Sequence, residues 1–198
     1  MFNSKERFFL VGQVLGNREF KPSSQFLKKL SQVIGISIPK NVFSAMDYHL
    51  DWLYASLVIN EEGQQKKYSN EKRIIRAQQE DVDYILAFEV NGMCNIILIE
   101  AKGVTAWSNK QLTSKAKRLK KIFGAKGNKW SNIKPYFVLM SPRKPENLEY
   151  SGWPDWMCPD NIKYIPIEIN KDKLRKVTRC AKDGTPCKDG NYWKIAKR

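Results

Sequence analysis

The sequence predicts a mixed α/β sandwich whose centre runs helix, three strands, helix, strand. Three observations carry this reading. Ile96-Ile97-Leu98-Ile99 is apolar on both alternating faces and ends in Glu100 and Lys102, the pattern of a central strand covered on both sides. Asn91-Gly92, a strong hairpin signal, joins that strand to a β-rich run before it. Leu112, Ala116, Leu119 and Phe123 then recur at helical spacing.

Taken in order, residues 8–15 read as a short strand. Ser23 and Ser24 precede Phe26, Leu27, Leu30, Val33 and Ile34, a helical pattern that Gly35 ends. Pro39 opens a second expected helix, running to about Ile59, with Met46, Leu50, Leu53 and Leu57 as its apolar stripe. Glu61 to Gln64 reads as a loop. Strands are expected over 72–78, 82–90 and 94–101. Ser108 caps the next helix, which Gly124 and Gly127 end, and a fourth core strand covers 134–140. After Pro142, prolines, tryptophans and turns dominate. Further strands are expected over 162–169, 174–180 and 192–196. The expected organisation is a domain over 1–141, with its core at about 40–141, an N-terminal helical extension and a β-rich C-terminal extension over 142–198 packed on the same core.

The chain has 198 residues, 42% hydrophobic, with a formal net charge of +15. That apolar content excludes wholesale disorder, and the charge favours a polyanionic partner. The four cysteines form no C-x-x-C pair, so neither a zinc ribbon nor a disulfide scaffold is expected. Reduced thiols in a cytoplasmic protein are the expectation. No apolar stretch reaches about 18 residues, so no spanning helix and no membrane partner are expected.

The chemistry concentrates in Glu80-Asp81-Val82-Asp83 and in Glu100-Ala101-Lys102. Strand alternation puts Ile96, Leu98, Glu100 and Lys102 on one face. Pairing about Asn91-Gly92 brings Asp83 near the level of Glu100. Two adjacent carboxylates repel unless a cation lies between them. An all-oxygen site suits Mg²⁺ or Mn²⁺, which would polarise a phosphoryl oxygen and acidify water. Lys102 suits the role of orienting that water or stabilising transition-state charge. The charge map agrees. Residues 77–101 contain no Lys or Arg, while residues 101–145 contain twelve and no Asp or Glu. His49 is the single histidine, and beside an apolar stripe it reads as structural.

Asp83 followed by Glu100-Ala101-Lys102 after an apolar strand resembles the PD-(D/E)XK nuclease superfamily, and the order of elements matches that family's core. Val82 stands where the family name has Pro. The resemblance implies a restriction-endonuclease-like fold and a Mg²⁺-dependent deoxyribonuclease, an endonuclease in restriction, repair or phage defence. Asp83, Glu100 and the carbonyl of Ala101 would bind the metal, and Lys102 would assist the water. It also implies an acidic residue on the first core helix. Asp51 is the choice, with Asp47 its rival one turn earlier. Gln111 and Lys115 resemble a Gln-x-x-x-Lys helix motif that contacts substrate backbone. Lys115 and Arg118, three apart on the face that carries Gln111, are expected to contact DNA phosphates. Cutting both strands would need two sites, so a homodimer is compatible. The competing reading is a non-catalytic nucleic-acid-binding module of the same fold. The Trp153-Pro154-Asp155-Trp156 cluster reads as a loop pinned to the core rather than a base-stacking wedge.

Overall fold

Burial is deepest along the Ile-rich run, where every residue from Ile96 to Glu100 is within about 1% of full burial. A computed structural model describes residues 21–77, 80–103, 105–158, 160, 162–169 and 174–197. The strand expected over 8–15 lies outside them. Three helices and seven strands are described: α1 (Ser24–Ile34), β1 (Phe43–His49), α2 (Leu50–Glu62), β2 (Asp81–Val90), β3 (Met93–Ala101), α3 (Asn109–Phe123), β4 (Ile133–Ser141), β5 (Lys163–Pro166), β6 (Arg175–Cys180) and β7 (Tyr192–Lys197). A 3-10 turn covers Asp155–Met157.

The main sheet has the order β1-β2-β3-β4-β5. β1 and β3 flank β2 antiparallel, and β4 runs parallel to both β3 and β5. The β2–β3 turn is Asn91-Gly92 with φ of 52° and 73°, which only a hairpin of the primed type requires. α1 covers one face. Its Leu27, Leu30 and Ile34 pack with Leu86, Ile97, Ile99 and Val138. α2 and α3 cover the other face, where Leu53, Leu57, Leu112, Leu119 and Phe123 meet Ile96, Leu98 and Phe137. The architecture is therefore a mixed α/β sandwich with helices on both faces. α1 begins at Ser23, whose hydroxyl accepts from Phe26 N at 3.2 Å, and ends at Gly35 in the left-handed conformation.

Two expectations are corrected. The helix expected from Pro39 starts only at Leu50, because 43–49 pairs with β2 as strand β1. Leu50, Leu53 and Leu57 do form a buried stripe, but Met46 is exposed on the strand. Short apolar runs fit both periods, and here pairing with β2 decides. Asp47, with φ of +48°, interrupts the alternation, so that Ala45 and Tyr48 face the same layer. The helix is then started by His49, whose Nδ1 accepts from Asp51 N at 3.3 Å. His49 is structural, as expected. The strand expected over 72–78 is also missing from the described part of that range. Its backbone groups bond to side chains instead: Asn70 brackets Ile75 on both sides, and Asp51 accepts from the N–H groups of Arg76 and Ala77.

Of the remaining pieces, the strand expected over 162–169 is confined to Lys163–Pro166, and Ser108 stands at the start of α3 without a side-chain capping bond. Trp153 is buried edge-on against Phe137 and Tyr150, and Trp156 meets Phe123, so the aromatic cluster is core. All four cysteines are free thiols. β6 and β7 form a separate antiparallel hairpin. No described helix is long and apolar enough to cross a membrane.

Candidate active site

β2 and β3 run side by side to the end of the sheet. Their register extends to Tyr84 opposite Ile99, and one further step sets Asp83 opposite Glu100. The strands still touch there, for Ala101 N–H donates to Asp83 Oδ2 at 2.7 Å. Ile96 and Leu98 face α3, and Glu100 follows with the same parity. Lys102 N–H donates to Met140 O at 2.8 Å, so the ladder runs one residue beyond β3 and holds Lys102 on the face of Glu100. Lys102 Nζ lies 3.4 Å from Gln111 Oε1 on α3. Asp83, Glu100, Lys102 and Gln111 thus gather where β2, β3 and α3 meet.

Glu100 is almost fully buried, and its Oε1 accepts from the ammonium of Lys115, itself buried. Burial pushes the Glu100 carboxyl up to about 7 against the pull of Lys115; Asp83 adds to the rise and Lys102 opposes it. The pH dependence follows from that direction. Between the ordinary value of 4.5 and about 7, the folded chain holds a proton that the unfolded chain has released. Glu100's contribution to stability is then full below 4.5 and lost as pH rises through 7. The metal-free protein is expected to lose on the order of 3 kcal/mol across that window, and Glu100→Gln to lose much less. Urea denaturation in EDTA at several pH values checks this. Parallel curves for the two proteins would mean that Glu100 is ionised throughout.

Lys115 and Arg118 are not the exposed pair that the sequence suggested. They lie 4% and 1% exposed, turned toward the sheet and α2. The Arg118 guanidinium pairs with Asp51 and, at 3.1 Å, with Glu80 Oε2. Its Nε has no hydrogen-bond partner among the described residues. Both side chains flank the apolar stripe of α3, and inward carboxylates neutralise them. The exposed cations of α3 are Lys110, Lys117, Lys120 and Lys121.

Asp51 is likewise committed elsewhere. It sits in the first turn of α2, pairs with Arg118, and accepts from the backbone of Arg76 and Ala77 at 3.1 and 2.9 Å. It ties α2, the 74–77 segment and α3 together instead of joining Asp83 and Glu100. Its rival Asp47 lies on β1, in the register position facing Asp83. Among the described residues, no three His, Cys, Asp or Glu side chains converge as a metal cluster.

The donor set nevertheless suits a small hard cation. Asp83 Oδ1 and Glu100 Oε2 accept no hydrogen bond among the described residues. Two carboxylates with a backbone carbonyl meet what Mg²⁺ asks of a protein, since it keeps several waters. Sequence reasoning overlooked Glu80, which accepts from Ser114 Oγ at 3.2 Å as well as from Arg118. Its place in the acidic Glu80–Asp83 run was the available signal. A cleft of about 410 Å³ between β2 and α3 is lined by Glu80, Asp81, Gln111, Ser114 and Lys115. A larger one, about 580 Å³, opens beside Trp107 and Arg143 at the carboxyl ends of β3 and β4. Neither cleft is lined by Asp83, Glu100 or Lys102, but the smaller one adjoins them through Gln111 and Lys115, which contact Lys102 and Glu100.

Comparison with protein-family models, with curated proteins and with solved structures finds no match.

Proposed function

We propose that the chain is a metal-dependent nuclease that hydrolyses phosphodiester bonds in DNA. The observation that carries the proposal is the pairing of Asp83 with a buried Glu100 at the end of two central strands, with Lys102 on the same face. A binding surface gains nothing from burying one carboxylate beside another, because the burial is costly. The helix expected to open the core follows the first strand instead, so the order supports the resemblance to the PD-(D/E)XK core with α1, which precedes the expected core of about 40–141, as the first helix and α2 inserted between the first and second strands. The antiparallel β1-β2-β3 set with β4 parallel to β3 agrees with a crossover through α3.

Asp83, Glu100 and the carbonyl of Ala101 would hold Mg²⁺ or Mn²⁺. Such an ion supplies Lewis acidity at a phosphoryl oxygen and a lowered pKa for water. The protein's own residues do the rest. Lys115 and Lys102 favour the carboxylate form of Glu100. Lys102, beside Gln111, is available to orient the attacking water and to offset charge on the phosphorane-like transition state. Gln111 is exposed and suits a contact to the substrate backbone. The exposed Lys110, Lys117, Lys120 and Lys121 take over the phosphate-binding role first given to Lys115 and Arg118.

One observation favours the second reading, a non-catalytic nucleic-acid-binding module: Lys115 already provides Glu100 with a counter-charge. Incubating supercoiled plasmid with the protein separates the two. Strand breaks are expected with Mg²⁺ or Mn²⁺ and none in excess EDTA. Binding without breaks under every metal condition would leave the binding module.

A further inference from the structure

The hairpin of β6 and β7 carries a face with an unusual composition. Residues directly opposite each other in an antiparallel pair share a face. The register pairs Arg175 with Lys197, Val177 with Ile195, and Arg179 with Trp193. All six are exposed. Val177, Ile195 and Trp193 are 70%, 64% and 68% exposed, among the most exposed large apolar side chains described. The opposite face is only partly open: Cys180 is buried and Thr178 and Ala196 are half-covered, while Lys176, Lys194 and Tyr192 are exposed. Neither strand contains an acidic residue.

The face therefore presents three tiers. A cation pair stands at one end, an aliphatic pair spans the middle, and Arg179 stands across from the Trp193 indole at the other end. Exposed apolar side chains clustered in this way mark an interaction surface. Cations at both ends name the sign of the partner, and the chain's net charge of +15 agrees. A polyanion with flat apolar faces is a nucleic acid whose bases are unpaired. Its bases can stack on an indole and lie over aliphatic side chains while its phosphates meet flanking cations. A regular duplex hides its base faces and would leave the middle tier unused.

We infer that this face of the β6–β7 hairpin is a docking platform for single-stranded DNA, with Trp193 as the stacking residue. The inference rests on the nucleic-acid reading above and extends it to the kind of substrate: DNA with an unpaired stretch beside the cleavage point. Arg179 positions the platform's edge, since its Nε donates to Gly190 O at 3.0 Å and fixes the guanidinium near the turn.

The test is anisotropy of a fluorescein-labelled 20-nucleotide oligo(dT), titrated with the full chain in EDTA so that no cleavage intervenes. Trp193→Ala is expected to weaken binding about tenfold, as for one stacked base. Trp193→Phe should restore most of the affinity, and a blunt duplex of the same length should respond little to either change. Unfolding is not a concern at so exposed a position, and unchanged thermal melting verifies that. Equal oligo(dT) affinity for Trp193→Ala and the parent chain would overturn the inference. So would Trp193-dependent binding to phosphatidylserine vesicles without oligo(dT) binding, or Trp193-dependent dimerisation in sedimentation without it. Because the assay needs no catalysis, the two readings fail separately. Trp193-dependent binding without any cleavage removes only the nuclease, and cleavage with Trp193-independent binding removes only the platform.

Discussion

Lys102→Ala is expected to slow DNA cleavage by about 10²-fold or more, while DNA affinity changes less than about twofold. The two effects separate because they have different sources. Affinity for DNA is dominated by the sum of phosphate contacts, and Lys102 is one of 35 Lys and Arg residues. Cleavage depends on charge placed where it develops in the transition state, and one such donor is worth about 10²- to 10³-fold. Lys102 meets that condition by position. It continues β3 on the face of Glu100, with its backbone fixed to Met140 O and its ammonium near Gln111. Single-turnover cleavage with Mg²⁺, beside anisotropy in EDTA, measures both quantities. A proportionate fall in both would make Lys102 a phosphate anchor.

Arg118→Met is expected to lower folding stability by about 3–5 kcal/mol, the range for removing one partner of a buried ion pair. Its guanidinium serves Asp51 and Glu80 together and also reaches Ile74 O at 3.4 Å. Methionine keeps much of the aliphatic bulk but removes the guanidinium that bridges two carboxylates, 12% and 20% exposed, leaving Glu80 only the longer 4.0 Å ion pair with Arg76 among the described residues. The damage should spread to 74–77, since the Asp51 carboxylate also organises that backbone. Urea denaturation is the check. A loss below about 1 kcal/mol would place the network among weak surface pairs. Lys117→Ala, at an exposed position on the same helix, is the control and should stay within about 0.5 kcal/mol of the parent chain.

What the sequence revealed, and what it hid, divides along one physical line. Contacts fixed by local periodicity were readable. Counting outward from Asn91-Gly92 brought Asp83 near the level of Glu100, and the register observed between β2 and β3 sets the two opposite each other. Alternation along Ile96–Lys102 assigned the faces correctly, and the turns of the last sixty residues placed β6 and β7. Contacts set by remote partners were not readable. Lys115 and Arg118 look like solvent-facing cations on a helical wheel, but each meets a carboxylate from another element, 15 and 67 residues away. The same remoteness hid Asp51's commitment to Arg118. β1 was missed for a related reason, since its strand form depends on an edge offered by β2, and its own residues fit either period.

The reading of Asp83 and Glu100 as a hydrolytic pair rests most directly on the dependence of strand cleavage on those two carboxylates and on a divalent ion. The decisive measurement is the rate of cleavage of a linear duplex with a short unpaired stretch, in Mg²⁺, Mn²⁺ and EDTA, by the parent chain and by Asp83→Asn and Glu100→Gln. Both changes keep side-chain size and remove charge. The expected result is cleavage by the parent chain with either metal, none in EDTA, and at least about 10²-fold slower cleavage by each variant. Cleavage that persists in EDTA, or variants that cut at the parent rate, would contradict the assignment.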